Sequence, residues 1–261
     1  MFRHLLLFLA AVLTLSAARP VATSTNLPPA TRPVAQQSDT LTAGVFPPNP
    51  TVLKGATRDL ADLDVRLVTL KPGELYAPEE DVDSLGHLLI VKDGTIVVSN
   101  NPIKTLGPGG VGLYSAFMLL VSNQTTSKAS FYLFTFESRA GTDRRRAMDH
   151  DPFFFRDWPE LVMKPTPKGE SRAIFSQPTM SLKNINMHAT TLNPGEMSHP
   201  QHMHRAEEIL LIRSGNVRMH IGNDYIPAKG GDLVFLPSGV PHNLENGNTG
   251  RTEYFALQWE Q

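Results

Sequence analysis

The 261-residue chain contains no cysteine. This absence excludes disulfide frameworks, thiolate zinc sites, iron–sulfur clusters and thiol catalysis. The chain also lacks a large net charge, because its 24 Lys and Arg residues nearly balance its 25 Asp and Glu residues. Dedicated nucleic-acid binders carry a strong basic excess, so no nucleic-acid partner is expected. Any chemistry must therefore come from histidines, carboxylates, hydroxyls or a bound metal.

Apolar runs long enough to cross a bilayer are missing as well. The run Leu5–Leu15 is shorter than the ~20 residues that a spanning helix needs. Together with the basic start and the small residues before Arg19, it is typical of a secretory signal peptide, with cleavage predicted after Ala18. We therefore expect residues 1–18 to be removed from an exported protein, periplasmic or secreted, with no membrane attachment afterwards.

The remaining chain divides by composition. Residues 19–55 are rich in Pro, Thr and Ser, which predicts a flexible arm. Short β-branched and aromatic runs between turns fill residues 56–140 and again 176–261, and this pattern favours an all-β fold. Residues 141–175 are interpreted as a connector between these two strand-rich segments, each of which suggests a β-sandwich or barrel.

The two strand-rich segments share a sequence pattern. A Pro-Gly turn, a strand with its turn, and a glycine pair recur in the same order, which indicates internal duplication. The alternative is two unrelated β domains that share common turn chemistry. The matching segments are Thr69–Leu75 with Thr191–Met197, Leu88–Gly94 with Ile209–Gly215, and Gly109-Gly110 with Gly230-Gly231.

Histidines concentrate in the second unit, where six of the nine lie between positions 188 and 242. His202 and His204 are two residues apart, so on a strand both would face one side. Glu208 opens an apolar strand, and His242 follows a rigid Pro-Gly turn. Three imidazoles and one carboxylate predict a site for one divalent transition metal: Mn, Fe, Ni, Cu, Co or Zn. A metal-free polar cluster is the alternative, at a high desolvation cost.

These residues also carry a family resemblance. The chain resembles the two motifs of the cupin superfamily in the patterns His202-x-His204-x3-Glu208-x6-Gly215 and Gly231-x5-Pro237-x-Gly239-x2-His242-x3-Asn246. The resemblance covers residues ~175–261 directly and ~60–138 through the repeat. It implies a double cupin, or bicupin: two antiparallel β-barrels of jelly-roll type, with metal in the C-terminal barrel.

The first unit lacks the same donors. The repeat places Asp81, Asp83 and His87 opposite His202, His204 and Glu208, and the apolar run Leu119–Val121 opposite His242. We therefore expect the barrel of residues 56–140 to hold no transition metal. A carboxylate site for a harder ion such as Ca²⁺ is the alternative, but it needs more oxygen ligands than this register supplies.

The resemblance implies a metal-dependent enzyme that acts on a small oxygen-rich molecule, with a dioxygenase-like oxidoreductase as the leading hypothesis. A hydrolase is the second hypothesis, because Asn186-Met187-His188 is similar to a segment of the ureidoglycine aminohydrolases. Those enzymes have Glu and Gln at ligand positions that hold His here. A non-catalytic metal-binding or small-molecule-binding protein is the competing class. His199 is the one nearby candidate acid or base, and otherwise an exposed loop residue.

Two further segments suggest interactions of the chain. The aromatic patch Phe153–Phe155 with Trp158 is typical of residues that cover a barrel or bury a dimer interface, so a homodimer is one expectation. Asn123-Gln124-Thr125 is a glycosylation motif if the source is eukaryotic.

Overall fold

The computed structural model describes residues 40–77, 85–99, 103–115, 119–147 and 153–261. The predicted signal peptide and residues 19–39 of the predicted arm lie outside these ranges. Within the ranges, regular structure is β-strand apart from two short 3-10 helices, Arg144–Ala147 and Trp158–Glu160. Neither helix is long and apolar enough to cross a membrane. The all-β prediction is confirmed.

Strands of the N-terminal half build the first barrel. After β1 (Gly44–Phe46), which joins the other barrel, come β2 (Thr51–Gly55), β3 (Leu60–Leu70), β4 (Leu75–Tyr76), β5 (Leu85–Asp93), β6 (Ile96–Ser99), β7 (Lys104–Leu106), β8 (Val111–Ser115), β9 (Leu120–Ser122), β10 (Ala129–Ser138) and β11 (Phe153–Arg156). One sheet has the order β11-β8-β5-β10-β3-β2, and the facing sheet has the order β4-β9-β6-β7.

The C-terminal half builds the second barrel on the same plan. Its strands are β12 (Lys164–Thr166), β13 (Gly169–Gln177), β14 (Asn184–Leu192), β15 (Glu207–Ser214), β16 (Asn216–Ile221), β17 (Asp224–Lys229), β18 (Leu233–Leu236), β19 (His242–Glu245) and β20 (Thr252–Glu260). The large sheet has the order β1-β18-β15-β20-β14-β13-β12 and the small sheet β17-β16-β19.

The predicted duplication is visible in this topology, because β3-β10-β5-β8 repeats as β14-β20-β15-β18. The glycine pairs shift by one residue from the predicted alignment. The Gly109 amide donates to Val91 O, and the Gly231 amide donates to Ile212 O, each over 2.8 Å. Gly109 is therefore the counterpart of Gly231, and both adopt a positive φ, 90° and 97°.

The apolar run of β15 is buried on both of its faces. Ile209 and Leu211 pack into a core shared by the two barrels, whereas Leu210 and Ile212 point into the second barrel. β5 alternates in the same way between the shared core and the interior of the first barrel. Because successive side chains of a strand point to opposite faces, this run supplies two cores at once. The large sheets of the barrels therefore pack against each other.

The prediction of a flexible arm is wrong for residues 40–55. β1 pairs antiparallel with β18 of the second barrel, matching Gly44 with Phe235, and β2 pairs with β3 of the first. The segment runs across both barrels and gives each an edge strand. Its Pro-rich composition concealed this pairing, because a three-residue strand takes its stability from the sheet it joins rather than from local propensity.

The predicted connector 141–175 also contributes strands to both barrels. β11 pairs with β8, and β13 pairs with β14. Two rings of the aromatic patch cover the shared core: the Phe154 ring lies 5.4 Å from the Phe175 ring, and the Trp158 ring 5.8 Å from the Phe255 ring. Phe153 and Phe155 pack in the interior of the first barrel. The patch therefore acts as a barrel cover, the first of its two predicted roles.

Candidate metal centre

Two loops at one end of the second barrel bring the predicted histidines together. His202 and His204 lie in the loop before β15, and His242 begins β19. The backbones of His202 and His242 form a two-way bridge, with N–O distances of 3.1 and 2.8 Å. The ligand nitrogens of the three imidazoles all lie within 4.8 Å of one another. The predicted convergence of these histidines is present in the structure.

Glu208 closes the cluster from β15. Its Oε2 lies 3.1 Å from His242 Nε2 and 3.4 Å from His204 Nε2, and Gln258 Nε2 donates to its Oε1 over 3.1 Å. Burial by itself raises the pKa of Glu208, but the two imidazoles stabilise the carboxylate more strongly and bring the pKa to about 2. The carboxylate is therefore ionised at neutral pH.

Backbone carbonyls fix how two of the imidazoles present their nitrogens. His204 Nδ1 lies 2.8 Å from Ala206 O, and His242 Nδ1 lies 2.8 Å from Val240 O. A carbonyl only accepts, so each Nδ1 carries a hydrogen, and in the neutral ring the lone pair lies on Nε2, which faces the cluster.

The buried Nε2 of His242 has no hydrogen-bond partner of acceptable geometry. An uncompensated buried nitrogen, imidazoles oriented through Nδ1 and an ionised carboxylate together fit the donor set of a divalent transition metal. His202, His204, Glu208 and His242 are the residues that could hold it.

A cavity of about 250 Å³ opens above the cluster. The half-buried His199 lies on its wall, with its ring edge-on to the His202 ring at 3.9 Å. Burial lowers the pKa of His199. The structure therefore places His199 against the cluster and on the wall of the cavity.

Several polar residues that line the cavity were not predicted as site residues, namely His188, Thr190, Ser198, Tyr254 and Gln258. A signal was available for two of them. On β14, Met187 and Ala189 pack into the shared core, so the alternating His188 and Thr190 face the interior of the second barrel. The alternation of apolar and polar residues on β14, the strand that precedes the histidine motif, would have predicted this part of the cavity wall.

The first barrel has different side chains at the equivalent positions. His87, the counterpart of Glu208, stacks on Tyr114 at 4.9 Å and lies 3.3 Å from Thr135 Oγ1. Burial lowers its pKa to about 4. Buried Leu119 occupies the position of His242, in the predicted apolar run. Asp81 and Asp83 lie outside the described residues.

Two buried asparagines confirm this register. The Asn123 amide donates to Leu70 O over 3.0 Å, and the Asn246 amide donates to Leu192 O over 3.1 Å. Leu119 precedes Asn123 by the same four positions as His242 precedes Asn246. Asn123 is fully buried. Its amide is therefore closed to glycosylation in the folded protein.

Comparison with known proteins agrees with this geometry. Residues 188–257 match the family model of the cupin domain. The second barrel therefore contains a cupin domain. The matched cupin segment contains all four residues of the cluster. No curated protein matches the sequence.

Solved structures extend the similarity to both barrels of the chain. A putative glyoxylate-induced protein from Pseudomonas aeruginosa aligns with a TM-score of 0.64 at 14% identity, covering 87% of this chain and 92% of its own. Protein YlbA from E. coli gives 0.60 at 16%, covering 86% and 94%. An oxalate decarboxylase from Bacillus subtilis gives 0.56 at 13%, covering 78% and 70%. At these identities the similarity shows the fold alone.

Proposed function

We propose that this exported bicupin is an enzyme that holds one divalent transition metal in its second barrel and acts there on a small oxygen-rich carboxylate substrate. The observation that carries the proposal is the convergence of His202, His204, Glu208 and His242 beside an open cavity. A metal in this position supplies a Lewis-acid or redox centre for the reaction.

The cavity supports a compact substrate. Its volume of about 250 Å³ is below the 300–1,000 Å³ that is usual for drug-sized ligands. Its wall carries the hydroxyls of Thr190, Ser198 and Tyr254. Burial raises the pKa of Tyr254 to about 12, so its hydroxyl stays protonated and can donate to a substrate oxygen. Short hydroxy acids, keto acids and dicarboxylates fit this combination of size and polarity.

His199 is the proposed acid or base. Its ring borders the same cavity and contacts the His202 ring, so a substrate in the cavity would lie within reach of the imidazole. For the reaction class we propose a dioxygenase-like oxidoreductase. Hydrolysis and binding without turnover are the alternatives that the assay must distinguish.

The first experiment measures bound metal in the purified protein and two histidine variants. We expect about one ion per chain in the wild type and a large loss in His242→Ala. His220→Ala is the matched control, because His220 lies on the same barrel but stacks outward on Tyr225 at 4.2 Å. Equal metal content in both variants would contradict the proposed site.

The second experiment assigns the reaction. The metal-loaded protein is incubated with oxalate, short keto and hydroxy acids and ureido acids, while O2 uptake and the release of CO2 and ammonia are recorded. Oxalate is included because one structure of the same fold is an oxalate decarboxylase. O2 uptake that disappears in His242→Ala supports the oxidoreductase. Ammonia release indicates a hydrolase, and saturable binding without product indicates a binding protein.

A further inference from the structure

Glu207, the neighbour of Glu208, is a buried carboxylate with 1% exposure. Four donors converge on it: Thr57 Oγ1 at 2.6 Å, Arg58 N at 3.0 Å, Asp59 N at 3.1 Å and Trp259 Nε1 at 3.1 Å. Three of these donors belong to one short segment, Thr57–Asp59, which precedes β3 of the first barrel. This carboxylate therefore joins the two barrels directly beside the metal centre.

The same segment also contacts both loops that carry the histidines. Asp59 Oδ2 accepts from Arg205 Nη1 over 3.2 Å, and Arg205 follows His204 in the first loop. Arg58 Nη1 donates to Ser238 Oγ over 2.8 Å, in the turn that leads to His242. Segment 57–59 thus reaches both sides of the cluster.

Contacts outside the two histidine loops hold this segment in place, most of them from the first barrel. Thr57 and Asp59 are buried at 1% and 5% exposure. Arg139, at the end of β10, donates from Nε to Thr57 O over 2.8 Å and from its backbone amide to Asp59 O over 3.1 Å. The last residue of the chain, Gln261, donates its amide to Asp59 Oδ2 over 3.1 Å. The segment is therefore anchored independently of the loops that it contacts.

We propose that Thr57–Asp59 is a positioning segment, through which the first barrel sets the geometry of the metal centre in the second. Adjacent residues of a strand point to opposite faces, so fixing Glu207 on the shared face fixes the direction of Glu208 on the other. Oriented ligands bind metal more tightly, and the loss of groups that orient them costs roughly 10- to 100-fold in affinity. The inference rests on the proposed metal site and gives the first barrel a role in it.

The test compares metal dissociation constants in four proteins, measured with Co²⁺ and Zn²⁺ against a competing chelator. Thr57→Val removes one of the four donors to Glu207 and should weaken binding measurably, by less than the roughly 10- to 100-fold that follows the loss of a group bonded to a ligand itself. Thr57→Ser restores the hydroxyl and should return affinity to the wild-type value. The absorption spectrum of bound Co²⁺ should change in the valine variant alone, since that spectrum reports ligand geometry rather than stability.

Tyr132→Phe is the matched control. Its hydroxyl makes another buried hydrogen bond between the barrels, to Gly231 O over 2.8 Å. That contact lies beside Ile212, four residues and roughly 13 Å along β15 from Glu208. We expect Tyr132→Phe to lower stability while leaving the metal affinity and the Co²⁺ spectrum unchanged.

Two outcomes would overturn the inference. One is a valine variant with wild-type affinity and spectrum. The other is an equal loss of affinity in Thr57→Val and Tyr132→Phe. Should Thr57→Val fail to fold, the exposed Arg58→Ala replaces it, with a smaller but measurable loss of affinity expected because only the Ser238 contact is removed. Wild-type affinity in that variant would then count against the inference.

The proposed function can fail separately from this inference. If the wild type binds no metal, amide hydrogen exchange of residues 202–208 in the metal-free protein decides the question. Faster exchange there in Thr57→Val than in Tyr132→Phe supports the positioning role, and equal exchange refutes it.

Discussion

His87 should make the folded protein sensitive to mild acid. Its imidazole lies between Tyr114 and Thr135 inside the first barrel, and burial lowers its pKa from 6.5 to about 4. The unfolded chain therefore takes up a proton that the folded protein resists, and stability is lost as the pH falls from 6.5 towards 4. The full shift corresponds to about 3 kcal/mol, of which about 2 kcal/mol is lost by pH 5.

Urea unfolding of metal-stripped wild type and His87→Gln at pH 7.5, 6.5 and 5 measures this effect. Glutamine keeps a polar group near Thr135 and does not titrate. We expect the difference in unfolding free energy between the two proteins to change by about 2 kcal/mol between pH 7.5 and pH 5, in favour of the variant. Parallel pH profiles would refute the reasoning, because they would mean that His87 titrates alike in the folded and unfolded chains.

Three further results are expected. Asn123→Ala and Asn246→Ala should each lower the unfolding free energy by about 2–4 kcal/mol in urea titrations, because each substitution leaves buried backbone carbonyls without a hydrogen-bond donor. A loss below about 0.5 kcal/mol in either variant would count against the role that the two asparagines share. Acid should release the metal more steeply than a one-proton curve, because protonated imidazoles cannot coordinate; the melting temperature should fall over the same interval, with a flatter profile in His242→Ala. Metal retained below about pH 4 would exclude imidazole-dominated coordination. Metal analysis of His87→Ala should match the wild type, and a loss there would assign an ion to the first barrel.

The site was more predictable from the sequence than the boundaries of the barrels. His202, His204 and His242 are located by spacing and by rigid turns, which are local properties of the chain. The fourth predicted ligand, Glu208, is identified by its position at the start of an apolar strand. Local rules of this kind hold because each ligand lies at a strand end or in a turn whose residue types are restricted.

The interactions that cross between barrels were not predictable in this way. Glu207 differs from Glu208 only in the face of β15 that it occupies, and its partners Thr57–Asp59 lie about 150 residues earlier in the chain. β1 and β11 are short segments whose strand pairing depends on the sheets they join. The one-residue shift between Gly109 and Gly231 also needed backbone hydrogen bonds to detect. Contacts between residues so far apart leave no local pattern in a single sequence.

The pairing of β1 with β18 constrains the order in which the strands can pair as the chain is synthesised. Gly44 and Phe235 pair across about 190 residues, so at about 5–20 residues per second the partner strand is made roughly 10–40 s after β1. All strands of the first barrel are synthesised within this interval, whereas the sheet that β1 joins is still incomplete. The strands of the first barrel therefore leave the ribosome before β18 exists, and β1 pairs late, which joins the earliest described strand to the barrel that is synthesised last.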